Sequence, residues 1–185
     1  KAHTYRVIDA TRDFALAYKP NFAFFERWGS KGFKWLEETV DYIGPDYIKI
    51  ADAKRGDIGN TAKQYAKSIF EYFKFDAVTL SPYMGKDSIE PFIQDKKKGA
   101  FVLCRTSNVS AAYIQGSVAD DDSIIKKVVI LANDLNRNSN IGLVVGATAI
   151  NELRTIRNLA PDLPMLIPGI GAQGGDLKES VIVGN

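Results

Sequence analysis

Short runs rich in β-branched and aromatic residues alternate along the chain with longer stretches whose apolar positions recur at helical spacing. The short runs have the length and composition of strands, and the longer ones the period of helices packed on one face. The pattern predicts six strands, near Ala17–Phe25, Tyr47–Lys54, Ala77–Tyr83, Ala100–Thr106, Ile141–Ala147 and Met165–Ile170. Helices are predicted near Gly32–Ile43, Gly59–Phe73, Lys86–Gln94, Asp122–Asn136 and Ala149–Leu159, with Val7–Ala15 ahead of the first strand. Such alternation is the sequence form of a parallel α/β fold. No proline-rich linker, tandem repeat or low-complexity tract breaks it, so one domain over residues 1–185 is expected.

Polar residues and glycines gather where the predicted strands end. Lys19, Asp52 with Lys54, Ser81, Thr106 with Ser107, Gly146, and Pro168 with Gly169 all fall at or just past a strand's carboxyl end. In a parallel barrel these ends meet on one face, where active sites are built. A doubly wound open sheet would gather ligands at the same ends, and periodicity does not separate the two. For a barrel, which typically has ~250 residues, a chain of 185 is short. A first strand before Lys1 and an eighth after Asn185 would complete the cycle.

Composition narrows the function classes more than the fold. With 45% hydrophobic and 25% charged residues the chain reads as an ordinary globular protein. A net charge of +2, from 24 basic and 22 acidic residues, gives no support to a general nucleic-acid or membrane-surface role. One cysteine, Cys104, rules out an internal disulfide and sits in an apolar run as a packing residue. The apolar runs fall well short of a bilayer span, and no signal-peptide pattern opens the chain, so a reducing cytoplasm is expected. With one histidine, His3, there is no zinc cluster. Asp95-Lys-Lys-Lys98 reads as solvated charge and Asp120-Asp-Asp122 as the acidic start of a helix. Trp28, Trp35 and Phe22–Phe25 read as packing or dimer surface, since no basic stripe accompanies them.

Ile48-Lys-Ile-Ala-Asp52-Ala-Lys54 alternates as a strand does, which puts Asp52 and Lys54 on one face. Asp57 follows in the turn before the next helix, and Lys19 closes the preceding strand. Charges taken out of water are costly unless paired, and two lysines and two aspartates at adjacent strand ends can offset one another. A fixed ammonium can stabilise negative charge developing on carbon and then deliver a proton to it. Ion-pair networks also serve as structure, and spacing alone leaves both readings open.

The wider sequence carries a resemblance. Asp52-Ala-Lys54-Arg-Gly-Asp57-Ile58-Gly-Asn-Thr61 resembles the Asp-x-Lys-x-x-Asp-Ile motif of orotidine 5′-monophosphate decarboxylases, in the form of the bacterial-type (type 2) branch. Ala17-Tyr-Lys19-Pro-Asn21-Phe-Ala-Phe-Phe-Glu26 is similar to a strand segment of that branch. Leu80-Ser-Pro-Tyr-Met-Gly85, Val102-Leu-Cys-Arg-Thr-Ser107-Asn and Pro168-Gly-Ile-Gly-Ala-Gln173-Gly-Gly-Asp176 follow in matching order. The resemblance spans nearly the whole chain.

It implies a TIM (β/α)8 barrel and conversion of orotidine 5′-monophosphate to UMP with no cofactor and no metal. It assigns protonation of the pyrimidine C6 to Lys54, a place against the substrate carboxylate to Asp52, and the ribose network to Lys19 with Asn21. Asp57, Ile58 and Thr61 would reach the neighbouring subunit's site, which implies a homodimer with shared sites. Ser107 would read the pyrimidine amide edge, where hydrogen-bonding groups are needed. Pro168, Gly169 and Gln173 would hold the phosphate after the last visible strand, the barrel's penultimate one, a common phosphate position in barrels. The family's first-strand aspartate and its phosphate-binding arginine after the eighth strand have no counterpart in these residues. Two rivals stand beside this reading. One is a magnesium-dependent sugar-phosphate decarboxylase or aldolase of the same superfamily, which would place an acidic residue where Lys19 stands. The other is a non-catalytic nucleotide-binding barrel.

Overall fold

The structure, a computed structural model, describes residues 1–117 and 122–185. Helix α1 (Ala2–Thr11) precedes strand β1 (Ala17–Tyr18), and helices α2 (Ala23–Glu26) and α3 (Gly29–Ile43) lead to β2 (Ile48–Arg55). Then come α4 (Gly59–Lys67), β3 (Ala77–Leu80), β4 (Gly99–Arg105), α5 (Ala111–Gln115), α6 (Ile124–Leu135), β5 (Ile141–Val145), α7 (Ile150–Leu159), β6 (Met165–Leu166) and α8 (Leu177–Gly184).

All six strands pair in parallel in the order β1-β2-β3-β4-β5-β6. A doubly wound sheet reverses direction at a switch point, and this order never does. It is the singly wound succession of a (β/α)8 barrel, open at β1 and β6 among the described residues.

The apolar pattern accounts for the layers. Strand β5 is buried along its whole length, as is β3, in keeping with strands covered on both faces. In β4 the alternation survives, with Ala100, Val102 and Cys104 buried and the residues between them half-buried. Helix α6 turns Ile125, Val128, Val129, Ala132 and Leu135 inward, and α3 does the same with Leu36, Val40 and Ile43. These spacings put one stripe of each helix against the sheet. The α6 stripe begins at a cap in which Ser123 accepts the Lys126 N–H at 3.3 Å. Asp122 pairs with Lys127 at 2.7 Å, while Asp120 and Asp121 lie outside the described residues. Phe22 and Phe25 enter the core and Trp35 meets Phe25 edge-on at 5.8 Å. No helix among the described residues is long and apolar enough to cross a membrane.

Four predicted elements are corrected; one is the strand over Met165–Ile170, which stops at Leu166, before Pro168. The strand predicted over Ala17–Phe25 stops at Tyr18, because Pro20 has no N–H to give the ladder. Asn21 then makes a single bridge to Asp52, and its Oδ1 accepts the Ala23 N–H at 3.0 Å to start α2. The helix predicted over Lys86–Gln94 is two 3₁₀ turns, Lys86–Ser88 and Glu90–Phe92, with Pro91 inside the stretch where an α-helix would need its donor. The helix over Gly59–Phe73 holds to Lys67 and ends in a π-helical turn, Ser68–Tyr72. Helices α5 and α8 were not predicted.

Leu143 is fully buried in the central part of β5, whereas Ile130 on α6 is 59% exposed. Leu143→Ala is expected to cost about 3 kcal/mol and Ile130→Ala less than about 0.5 kcal/mol, read from urea midpoints at unchanged slope. Equal effects at the two positions would contradict this layering.

Candidate active site

The carboxyl end of β2 is irregular, and the irregularity shapes the site. Ala51 pairs with Val78 and Arg55 with Leu80, so β2 advances four residues while β3 advances two. Such a bulge re-aims side chains. Within it Lys54 takes φ 47, the left-handed region, which costs a non-glycine residue about 1 kcal/mol. Regular alternation would also have put Asp52 and Lys54 on one face, but their contact here is made across a bulge.

Asp52 is 7% exposed and both its oxygens are engaged. Oδ2 accepts from Lys19 Nζ at 2.7 Å and Asn21 Nδ2 at 3.3 Å. Oδ1 accepts from Lys54 Nζ and lies 3.2 Å from Thr79 Oγ1. The Asp52 backbone is tied as well, its N–H to the Pro20 carbonyl at 3.0 Å and its carbonyl to the Phe22 N–H at 3.2 Å. Burial works against ionisation of this carboxyl and is the largest single influence. The hydrogen bonds from Lys19 and Lys54, reinforced by their charges, together outweigh it and hold Asp52 below the ordinary carboxylate range. The Lys54 side chain is half exposed, so its ammonium is gripped on one side and open on the other.

Arg55, which the sequence reading left without a role, braces this arrangement. It binds Glu26 Oε1 at 2.6 Å and lies over the rings of Phe22 and Tyr65 at 5.3 and 5.1 Å. That ties the end of β2 to α2, directly after the Lys19-Asn21 turn. Sequence patterning offered no signal for it beyond its place between Lys54 and Asp57. Thr79 was missed for a different reason, since a threonine in a β-branched run looks like packing.

Asp57 does not join the cluster. Its Oδ1 accepts the Ile58 N–H at 2.8 Å, and among the described residues it pairs with neither lysine. Within this chain two lysines therefore share one aspartate, while Asp57 lies past the end of β2. Ile58 is 49% exposed and Thr61 is exposed on α4.

The remaining predicted residues lie on the following strand ends. Ser107 sits two residues past β4, where its backbone packs on Gly146; a Cβ at position 146 would stand 2.9 Å from Ser107 Cα, so only glycine fits. Gln115 clamps the neighbouring Thr106 through both its amide atoms, at 3.1 and 2.8 Å. Pro168 follows β6 and its carbonyl accepts the Ala147 N–H at 2.8 Å. Gly169 has φ 104, and a Cβ there would come 3.0 Å from Gln173 Oε1, so the exposed Gln173 folds back over the glycine turn. Cys104 is buried, with its thiol pushed up to about 12 by burial, which removes it as a nucleophile. His3 is exposed, and no three metal-ligating side chains gather among the described residues.

Against known proteins, residues 1–182 match the orotidine 5′-phosphate decarboxylase / HUMPS family. The chain belongs to this family. A relative from Halorubrum lacusprofundi, named orotidine 5′-phosphate decarboxylase, is 47% identical over 178 residues, covering 95% of this chain and 63% of that protein. A relative of the same name from Dehalococcoides mccartyi is 49% identical over 179 residues, covering 95% and 66%. The solved structure of Leishmania donovani OMP decarboxylase superposes with a TM-score of 0.91 at 42% identity, over 98% of this chain and 71% of that one. The chain thus spans 63% and 66% of the length of the two curated decarboxylase-family relatives.

Because the Asp52 carboxyl is depressed below the unfolded value of about 3.9, its ion pairs contribute stability that is complete above that value. The contribution is lost as pH falls through the folded value. Wild-type protein is expected to lose more stability than Asp52→Asn when urea denaturation is followed down from about pH 6. Parallel slopes for the two would count against the depressed carboxyl.

Proposed function

We propose that this chain forms the catalytic face of an orotidine 5′-monophosphate decarboxylase of the type 2 branch, releasing carbon dioxide and UMP in pyrimidine biosynthesis. The observation that carries this reading is the Lys19–Asp52–Lys54 array, an ammonium held by a buried carboxylate and left open toward the strand-end face. When the bond from C6 to the carboxylate breaks, the electron pair stays on C6. Lys54 stabilises that charge and then transfers its proton to C6, so that no external electron sink is required. Asp52 holds Lys54 in place and stands against the departing carboxylate. Lys19 and Asn21 face the ribose, Ser107 the pyrimidine edge, and Pro168, Gly169 and Gln173 the phosphate. The relatives' printed names support the substrate.

Asp57 serves the site of a second copy, with Ile58 and Thr61 beside it. Its detachment from the lysines of its own chain supports this, as do the exposed apolar side chains Ile58, Tyr83, Met84 and Val109 on the loops after β2, β3 and β4, and Tyr113 on α5. The protein acts in the cytoplasm, a reading supported by its single, buried cysteine.

The test is loss of orotidine 5′-monophosphate absorbance with purified protein. Turnover is expected to persist in EDTA; abolition by EDTA with rescue by magnesium would replace this reading with the sugar-phosphate one, to which Lys19 is ill suited. Lys54→Ala is expected to lower kcat by about a thousandfold while UMP still binds, since that ammonium acts mainly in the transition state. Mixing Lys54→Ala with Asp57→Ala protein should regenerate one intact site per mixed dimer. A mixture as inactive as its parents would remove the shared-site proposal.

A further inference from the structure

A buried hydroxyl links the two groups to which the chemistry is assigned. Thr79 is 2% exposed in β3, whose other residues are the apolar Ala77, Val78 and Leu80. Burying a hydroxyl there is unfavourable unless it finds partners. Its oxygen accepts the Lys54 N–H at 3.0 Å and lies 3.2 Å from Asp52 Oδ1, with the Ala51 carbonyl farther away at 3.5 Å. Threonine has one hydroxyl proton, and the shorter, charge-assisted contact to the carboxylate takes it.

The β2 bulge explains why a hydroxyl stands at this point. Between the pairs Ala51–Val78 and Arg55–Leu80 the ladder offers no regular partner to the Lys54 N–H, and a buried backbone donor left alone is costly. The Thr79 side chain takes the place of the missing carbonyl. It thereby fixes the residue that carries the ammonium, at its left-handed φ, and restrains the rotation of the carboxylate that grips that ammonium. We propose that Thr79 is a positioning residue, a strand-borne hydroxyl that sets the Lys54–Asp52 geometry from the neighbouring strand. A threonine that served packing alone would need only its shape, which valine shares.

The inference rests on the decarboxylase reading for its kinetic arm alone. In Thr79→Val, kcat for orotidine 5′-monophosphate is expected to fall about tenfold or more, equivalent to ~1.4 kcal/mol, with KM little changed. Thr79→Ser, which keeps the hydroxyl, should recover most of the loss. A kcat equal to wild type in the valine variant, a loss carried by KM, or a serine variant as slow as the valine one would overturn the proposal. Should Thr79→Val fail to fold, Thr79→Cys, whose thiol is a weak hydrogen-bonding group, is compared with Thr79→Ser on the same terms. Hydrogen exchange at the Lys54 amide forms a second arm without substrate. Faster exchange in the valine or cysteine variant than in the serine variant supports the proposal, and equal exchange overturns it. Wild-type protein inactive on orotidine 5′-monophosphate would sink the decarboxylase reading and leave this second arm to decide on Thr79.

Discussion

A carboxylate that is 7% exposed must find donors for both oxygens, and Asp52 finds them on three strands. Lys19 comes from the end of β1, Lys54 from the bulge of β2 itself, and Thr79 from β3. The backbone of Asp52 bonds to Pro20 and Phe22 on either side, so the turn after β1 is shaped around it. Remove the carboxylate and two ammonium groups face each other across a strand end with nothing between them. Breaking such a half-buried ion pair by removing one partner leaves the other charges uncompensated, which is costly.

Charge alone does not mark the site. Asp76, at the opposite ends of the strands, also faces two lysines, Lys49 and Lys98, each at 3.6 Å. There the lysines are spent on the backbone, Lys49 Nζ on the Gly44 carbonyl at 3.0 Å and Lys98 Nζ on the Phe75 carbonyl at 2.7 Å. Asp76 also accepts the Lys49 N–H at 2.9 Å. Every group has a structural partner, which is how a bracing network is built. Lys54 differs in having one firm anchor and an open side, and it stands at the carboxyl ends where a barrel gathers its ligands.

The strands were legible because four of the six predicted runs keep most of their length, and β5, buried on both faces, shows as an unbroken apolar run, Ile141–Val145. The location of the site was legible for the same reason, since polar residues at strand ends have no other way to be reconciled with apolar strand interiors. What periodicity missed lies where the chain turns. Pro20 and Pro91 cut short a strand and a helix whose apolar content continued past them. Asp57 lies past the end of β2 and bonds to the Ile58 N–H, outside the array that strand spacing suggests. Thr79 was invisible because its role depends on a bulge in the neighbouring strand, and a bulge leaves no mark in the sequence of the strand that compensates for it.

The unreversed strand order has a bearing on how the protein is made. Each strand pairs with the one before it, yet every pairing is parallel and closes across a crossover, the kind of non-local contact that slows folding. Lys19, Asn21, Asp52, Lys54 and Thr79 are all in place once β3 has been synthesised, and none of their mutual bonds waits for a later residue. In a chain made amino end first, every member of the charged centre thus precedes β4, β5 and β6, the strands that extend the sheet beside it.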